Sequence, residues 1–444
     1  MSQPPNLIVF FTDQQRWDTC GCYGQPLEIT PNLDRMASEG VQFERAFTCQ
    51  PVCGPARACV QTGKYATEVG CHTNHRMLPL TEKTMAHRLR ERGYDTAYIG
   101  KWHLASCGPL GGPDDFRTRP VPPERRGGYE YWLASDVLEY TSHSYDGHMF
   151  DGEGRARYFP EGRFRADAQT DWVLEYLESR RDDRPFFLFV SYIEPHHQND
   201  HHHYEGPKGS KERFKNFVPP GDLVGQGGNW RDEYPDYLGC CHSLDENLGR
   251  IRRYLTERCW ADRTVVFYTS DHGSHFRTRN AEYKRSCHEG CIRIPMVAVG
   301  PGFEGGRLAT GLASLIDLPP TLLRCAGLEP PVTMRGRPLQ HMLTGEGAPW
   351  PTDIFLQISE DHCGRAIRTE RWKYSVRAPN RDGQAPDSDV YLEDFLYDLQ
   401  ADPFELNNRV TDSALAGVRA DLAAILLRRM KEIGEPPCVI RPAS

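Results

Sequence analysis

Short apolar runs separated by long polar-patterned stretches set the outline of this chain. Asn6–Thr12 (NLIVFFT), Asp95–Ile99 (DTAYI), Pro185–Tyr192 (PFFLFVSY) and Thr264–Thr269 (TVVFYT) have the length and the β-branched and aromatic content of strands. They are nearly continuous in apolar character, so they suit strands buried on both faces. Between them lie helical patterns at Met85–Arg92 and Thr170–Arg180 and in the amphipathic stretch Leu244–Glu257. Buried strands alternating with helices predict an α/β fold with a largely parallel sheet flanked by helices. From about Ala348 the rhythm changes to short strand-like pieces (RAIRTERWKY, DFLYDL) and a helical tail, Ser413–Ile433. This predicts a small C-terminal α/β subdomain, joined through the Pro/Gly-rich stretch Gly327–Pro351.

Each apolar run ends in polar chemistry. Asp13-Gln14-Gln15 follows the first, Lys101-Trp102-His103 the second, Pro195-His196-His197 the third and Asp271-His272-Gly273 the fourth. Ligands of open α/β sheets bind at the carboxyl ends of the strands. One Asp after a strand is ordinarily a turn or cap residue, but four such ends together predict one convergent polar site. Asp13 and Asp271 offer hard oxygens, Gln14 a neutral carbonyl and His272 a nitrogen. That donor set suits Ca²⁺ first and Mg²⁺ or Mn²⁺ next, whereas zinc would ask for more His or Cys. The plainer alternative is a buried, hydrogen-bonded Asp–His pair.

Composition narrows the partners. With 61 acidic against 53 basic residues the net charge is −8, which argues against a nucleic-acid partner and leaves room for a small anion held by a local basic cluster. No apolar stretch approaches the ~20 residues that span a bilayer. MSQPPNLIVFFTDQQ has no basic leader and reads as a strand rather than a signal peptide. Fifteen cysteines, an odd number, then fit a reducing compartment and a cytoplasmic protein with mostly buried thiols.

Cys53-Gly54-Pro55-Ala56-Arg57, followed by Thr62-Gly63, resembles the signature of the type I sulfatases, members of the alkaline phosphatase superfamily. The resemblance runs along nearly the whole chain, through NLIVFFTDQQRWDTCGCYG, GYDTAYIGKWHL, DENLGRI, SDHG, YKRSCHEGCIRIP and LYDLQADPFELNN. It implies an alkaline-phosphatase-like fold, with residues 1–347 as the catalytic domain and 348–444 as the subdomain that closes the active-site cleft. It implies hydrolysis of a sulfate monoester, of a small sulfated sugar or an aryl sulfate. Cys53 would be oxidised to formylglycine by a formylglycine-generating or anaerobic sulfatase-maturating enzyme, and the hydrated aldehyde would be the nucleophile. Asp13, Gln14, Asp271 and His272 would bind a divalent metal, usually calcium, together with residue 53. Arg57 would lie against the formylglycine hydroxyls. Lys101, His103, His196 and Lys284 would contact the sulfate and its leaving oxygen, Lys284 standing five residues before Glu289 as the family's sulfate-binding lysine does.

Two positions depart from the common family pattern: Gln14 where many sulfatases have Asp, and His272 where many have Asn. Asp-His also occurs in subfamilies that include phosphonate monoester hydrolases, so a phosphonate monoester or phosphodiester hydrolase is the nearest rival. A non-catalytic, metal-dependent binding protein with unmodified Cys53 is a rival of another class, against which the retention of both Lys101 and Lys284 argues. Substrate choice would sit in the loops Ala105–Arg126 and His197–Trp230, with Thr73–Arg76 (TNHR) as pocket lining or a helix terminus. The His-rich PHHQNDHHHY allows a separate zinc site, but the preferred reading is a mobile substrate-side loop with only His196 turned inward. Arg365 and His362 are read as packing residues rather than substrate contacts.

Overall fold

The computed structural model describes residues 3–181 and 183–443. Its large sheet is built on β1 (Asn6–Thr12), β2 (Val41–Phe47), β3 (Asp95–Lys101), β4 (Tyr131–Ser135), β5 (Phe186–Ser191), β6 (Thr264–Ser270) and β7 (Met296–Val299). Five strands run parallel in the order β6-β1-β5-β3-β4, and β7 and then β2 extend the β6 side, β7 antiparallel to both. Every residue of β1, β5 and β6 is buried, as their continuous apolar runs demand. Side chains alternate across the sheet. Leu7, Val9 and Phe11 enter one core with Phe187 and Phe189, while Ile8 and Phe10 enter the other with Leu188 and Val190.

The first core is covered by α2 (Cys53–Thr62) and α3 (Met85–Glu91), through Ala56, Cys59, Val60, Met85 and Leu89. The second is covered by α1 (Pro31–Glu39), α4 (Arg165–Ser179) and α5 (Trp230–Glu257), through Leu33, Met36, Trp172, Val173, Leu244, Leu248 and Ile251. Two helices are longer than their periodicity suggested. α5 starts at Trp230 rather than Leu244, because its first half buries aromatic and small residues (Tyr234, Tyr237, Gly239, Cys240, Cys241) around Pro235 instead of an Ile/Leu stripe. α4 starts at Arg165 rather than Thr170, because the buried Arg165 Nε donates to Glu194 at 2.8 Å, so a charge sits where an apolar face was expected.

Strand register places the site. Phe11 pairs with both Ser191 and Thr269, Thr12 with Ser270, and Gly100 with Ser191, so the strands ending in Asp13, Lys101 and Asp271 finish at one level. Gly100 has a positive φ of 121°, and a Cβ there would sit 1.9 Å from the Ser191 carbonyl oxygen. The glycine lets adjoining backbones close just before Lys101 turns into the site.

A second, mostly antiparallel sheet follows, made of Asp353–Ile358, Gly364–Thr369, Trp372–Arg377 and Val390–Asp398, with Val439–Arg441 parallel at its edge. Helix Ala416–Glu432 buries Leu422, Leu426 and Met430 at four-residue spacing, and residues 413–415 form a separate 3₁₀ turn before it. Phe355, Ile367, Tyr374 and Leu396 share one apolar cluster with Leu315, Leu318 and Leu322 of the large unit, so the two sheets are cemented by a common core. Among the described residues, no helix is long and apolar enough to cross a membrane.

Candidate active site

Cys53 is the first residue of α2 and is buried at the carboxyl edge of the parallel strands. Its Sγ receives a hydrogen bond from Lys284 Nζ at 2.8 Å, donates to Asp13 Oδ1 at 3.3 Å and lies 3.1 Å from His272 Nε2. Burial, and next the charge of Asp13, push the thiol up to about 12. One helical turn on, Arg57 turns back under it. Its Nη2 donates to Asp13 Oδ2 at 2.9 Å, and its Nη1 donates to the Lys101 carbonyl and to Ser191 Oγ, each at 2.7 Å. Lys101 Nζ lies 2.9 Å from Asp13 Oδ2 and 3.0 Å from Glu139 Oε2.

This is a buried, charge-dense centre. Burial raises the Asp13 carboxyl, but Lys101, then His196 and Arg57, outweigh it and hold the group well below the usual carboxylate range. Burial also works against the Lys101 ammonium, yet Asp13 and Glu139 raise it above its ordinary value. Asp271 goes the other way: burial, and next the Asp13 charge, push it up to about 7. Two carboxylates at one point repel, and a divalent cation between them removes that repulsion.

The donor set fits such a cation. Ligand atoms of Asp13, Cys53, Asp271 and His272 all lie within 4.8 Å of one another. His272 Nδ1 donates to the Gly273 carbonyl at 2.9 Å, which leaves Nε2 as a lone pair facing Asp13 and Asp271. The Gln14 amide nitrogen donates to the Tyr204 hydroxyl, while its buried Oε1 has no hydrogen-bond partner among the described residues. Gln14 holds a positive φ of 70° and His103 one of 61°, a region L-residues seldom adopt, as functional centres often require.

His103 and His196 are buried and lowered well below the ordinary imidazole value, by burial first and by Lys101 next. Among the described residues neither ring nitrogen of His103 has a partner, whereas His196 directs Nε2 to Lys284 Nζ at 3.3 Å. Lys284 comes from an irregular segment that is nevertheless tied at both ends. The His275 amide donates to the Tyr283 carbonyl at 2.8 Å, and His275 Nε2 donates to the Lys284 carbonyl at 3.0 Å.

That tie makes a pH prediction. Burial is the main cause holding His275 down at about 4, and among the described residues its Nδ1 has no acceptor for a second proton. An unfolded histidine titrates near 6.5. The neutral ring therefore stabilises the fold fully above that value, by about 3 kcal/mol, and the contribution is lost as pH falls toward 4. Thermal melts from pH 7 to 4.5 should show a steeper loss for the wild type than for His275→Gln, which keeps a donor but does not titrate; parallel curves would refute a buried ring held neutral.

Structure adds residues that the sequence did not single out. Glu139, in the turn after β4, is buried against Lys101, which outweighs the upward push of burial and brings it to about 2. Asp136 accepts the amides of Leu104, Ala105 and Ser106, each at 2.9 Å, and so fixes the chain just after His103. YWLAS was too short and aromatic to stand out as a strand, yet its Ser-Asp ending follows the strand-end pattern and would have revealed Asp136. Tyr283 lies edge-on to His196 and stacks on His197. The expectation that only His196 turns inward is thus corrected: His197 is buried too, held by the aromatic faces of Tyr283 and Tyr204. Arg365 pairs with Glu435 at 2.8 Å within the C-terminal unit, and His362 Nδ1 bonds Asp361 at 2.6 Å, in keeping with packing roles. Thr73–Arg76 comes up to the site, where Asn74 Oδ1 accepts the Gly54 amide and the Asn74 amide donates to Glu360 of the C-terminal unit.

A family model described as Sulfatase matches residues 5–328. The chain belongs to the sulfatase family. A second model, described as the C-terminal part of N-sulphoglucosamine sulphohydrolase, matches residues 281–432. The chain is 30% identical to the uncharacterized sulfatase YidJ of Escherichia coli over 97% of its own length and 88% of that protein's. It is 25% identical to an N-acetylglucosamine-6-O-sulfatase of Bacteroides thetaiotaomicron, covering 96% of this chain and 86% of the relative. The crystal structure of the yidJ protein of Bacteroides fragilis superposes with a TM-score of 0.82 at 26% identity, covering 98% and 97% of the two chains. A phosphonate monoester hydrolase of Agrobacterium radiobacter has the same fold, with a TM-score of 0.74 at 22% identity over 97% and 96%. This sulfatase therefore has the alkaline-phosphatase fold expected of it and is a hydrolase of sulfate esters.

Proposed function

We propose that this sulfatase hydrolyses the sulfate monoester of a small sulfated sugar, using a formylglycine made from Cys53 as nucleophile. The observation that carries the reading is the packing of Lys284 Nζ, His272 Nε2 and Asp13 Oδ1 within 3.3 Å of one buried sulfur. A thiol pushed up to about 12 is a poor nucleophile, and hard-ion donors prefer oxygen to sulfur. Conversion of residue 53 to an aldehyde hydrate by a maturating enzyme resolves both mismatches.

Asp13, Gln14, Asp271 and His272, with residue 53, would hold the divalent ion, Ca²⁺ before Mg²⁺ or Mn²⁺. Bound there, it supplies Lewis-acid stabilisation of the reacting oxygens. Arg57 holds the residue-53 hydroxyls, and Lys101 and Lys284 bind the sulfuryl oxygens as point charges. One hydroxyl of the hydrate would attack sulfur, its proton passing to a neutral His103 or His196 ring, as the ester S–O bond breaks. His103 or His196 passes a proton to the departing oxygen; an anionic substrate beside these neutral rings favours their protonated form. The second hydroxyl would then give its proton to the imidazole that served the leaving oxygen, the aldehyde C=O would re-form as sulfate leaves, and water adding to the aldehyde would restore the hydrate. The unit from 348 onward closes the cleft, a role that the Asn74–Glu360 and Arg285–Glu360 contacts support. The amino-sugar sulfatase among the relatives favours a sugar sulfate, and the many unpaired thiols favour a reducing, cytoplasmic setting. The likeness to the phosphonate hydrolase is one of fold and does not move the assignment.

Mass spectrometry of the tryptic peptide containing residue 53, from protein made in its native host, tests the reading. Formylglycine is the expected result. A fully alkylatable thiol would overturn it.

A further inference from the structure

Helix α2, which carries residue 53, starts without a cap of its own. The first amides of a helix lack intrahelical acceptors, and a Ser, Thr, Asp or Asn side chain ordinarily satisfies one of them. Val52 stands at the capping position and its side chain makes no such bond. Asn74 supplies the acceptor from another segment, its Oδ1 taking the Gly54 amide at 2.9 Å. Asn74 is fixed in turn by Glu360, which lies just past the strand Asp353–Ile358 of the C-terminal sheet. Glu360 Oε1 accepts the Asn74 amide at 2.5 Å, and Oε2 accepts Asn74 Nδ2 at 3.3 Å. The same Oε2 lies 2.7 Å from Arg285 Nη2. Arg285 directly follows Lys284, and its amide donates to the Pro51 carbonyl at 3.3 Å.

One carboxylate of the C-terminal unit thus grips both flanks of residue 53: the start of its helix through Asn74, and the segment of Lys284 through Arg285. The Glu360 side chain is only 8% exposed and takes three N–H groups, one of them from a guanidinium, which makes the tie both strong and directional. Glu360 and Arg285 hold positive φ angles of 68° and 72°, and His75, beside Asn74, one of 60°. Strained L-residues gathered around one carboxylate are a common feature of functional sites. The buried Arg365–Glu435 pair, by contrast, stays within its own unit and serves packing. We propose that Glu360 is a positioning residue for the sulfatase reaction, holding residue 53 and Lys284 in mutual register from the C-terminal unit. The proposal rests on residue 53 being the nucleophile. Its kinetic weight follows from geometry, since a misplacement of about 1 Å at reacting groups can cost about 10² in rate.

The test is steady-state kinetics on a sulfate ester, with the formylglycine content of residue 53 measured in every preparation. Glu360→Ala should lower kcat by about 10- to 100-fold and leave KM close to that of wild type. Glu360→Gln, which keeps an acceptor for the Asn74 amide but drops the charge facing Arg285, should retain part of the rate. Glu435→Gln, which breaks the Arg365 pair inside the same unit, should lower the thermal melt without lowering kcat. An unchanged kcat in Glu360→Ala, a rise in KM alone, or an equal loss of kcat in Glu435→Gln would overturn the positioning role. Asn74→Ala/Glu360→Ala should lose less than the product of the two single losses, because Glu360 reaches the helix through Asn74; losses that multiply would sever that route. Hydrogen exchange over 51–57 should quicken in Glu360→Ala whether residue 53 is formylglycine or a thiol, and unchanged exchange would refute the tie. Quickened exchange beside an inactive, unconverted wild type would count against the nucleophile and for the tie.

Discussion

Cys53→Ala is expected to lower kcat/KM on a sulfate ester by roughly 10⁴-fold or more while the protein still folds. Cys53 contributes one small buried side chain to a helix whose remaining core contacts, Ala56, Cys59 and Val60, are untouched. Lys284 loses a 2.8 Å partner but keeps His196 at 3.3 Å, so its placement survives. The chemistry has no substitute, because the other side chains named around residue 53 are cations, neutral imidazoles, the Gln14 amide and carboxylates already paired with Lys101 or Arg57. Steady-state kinetics beside a thermal melt separate the two effects, and near-wild-type turnover in a folded variant would remove residue 53 from the reaction. Cys53→Ser sharpens the test. A serine hydroxyl can take the sulfuryl group but cannot expel it by reforming a carbonyl, so one partial turnover followed by a sulfated, arrested enzyme is expected. Sustained turnover by the serine variant would refute the aldehyde-hydrate exit.

Where the sequence was legible follows from what local pattern encodes. β1, β5 and β6 are buried on both faces, so their apolar runs mark them directly, and their polar ends mark Asp13, His196 and Asp271. Lys284 was the hardest position to place. It lies on no regular element, and it is brought to Cys53 by tertiary ties such as the two hydrogen bonds of His275 to the Tyr283 and Lys284 carbonyls and that of the Arg285 amide to the Pro51 carbonyl. Glu139 escaped for a related reason, since a carboxylate in a 3₁₀ turn looks like a solvated one until Lys101 is found 3.0 Å away. Arg165 misled in the opposite sense: a buried arginine at a helix start breaks the apolar stripe, and its partner Glu194 is distant in sequence. Pattern reveals elements and the residues at their ends; pairings between segments far apart in sequence need the fold.

The second large effect belongs to Asp13→Asn. Asp13 Oδ2 is held at 2.9 Å by both Lys101 Nζ and Arg57 Nη2, and all three side chains are essentially out of solvent. The amide keeps the shape and deletes the charge, leaving two buried cations facing Glu139 and Asp271 alone. Removing one partner of a buried ion pair typically costs about 3–5 kcal/mol, and a loss of that order is expected in denaturant unfolding of the metal-free protein. Turnover should fall as well, because the same carboxylate faces residue 53 at 3.3 Å and is the most strongly ionised member of the hard-ion set. A second substitution separates the two roles. Lys101→Met removes one stranded charge, so Asp13→Asn/Lys101→Met should recover a sizeable part of the lost stability, as coupled neighbours do in a double-mutant cycle. It should recover no activity, since it also deletes a cation that faces the sulfuryl group. Additive stabilities would mean that the Asp13–Lys101 pair is not coupled as the geometry requires, and restored turnover would mean that Lys101 serves the fold rather than the chemistry.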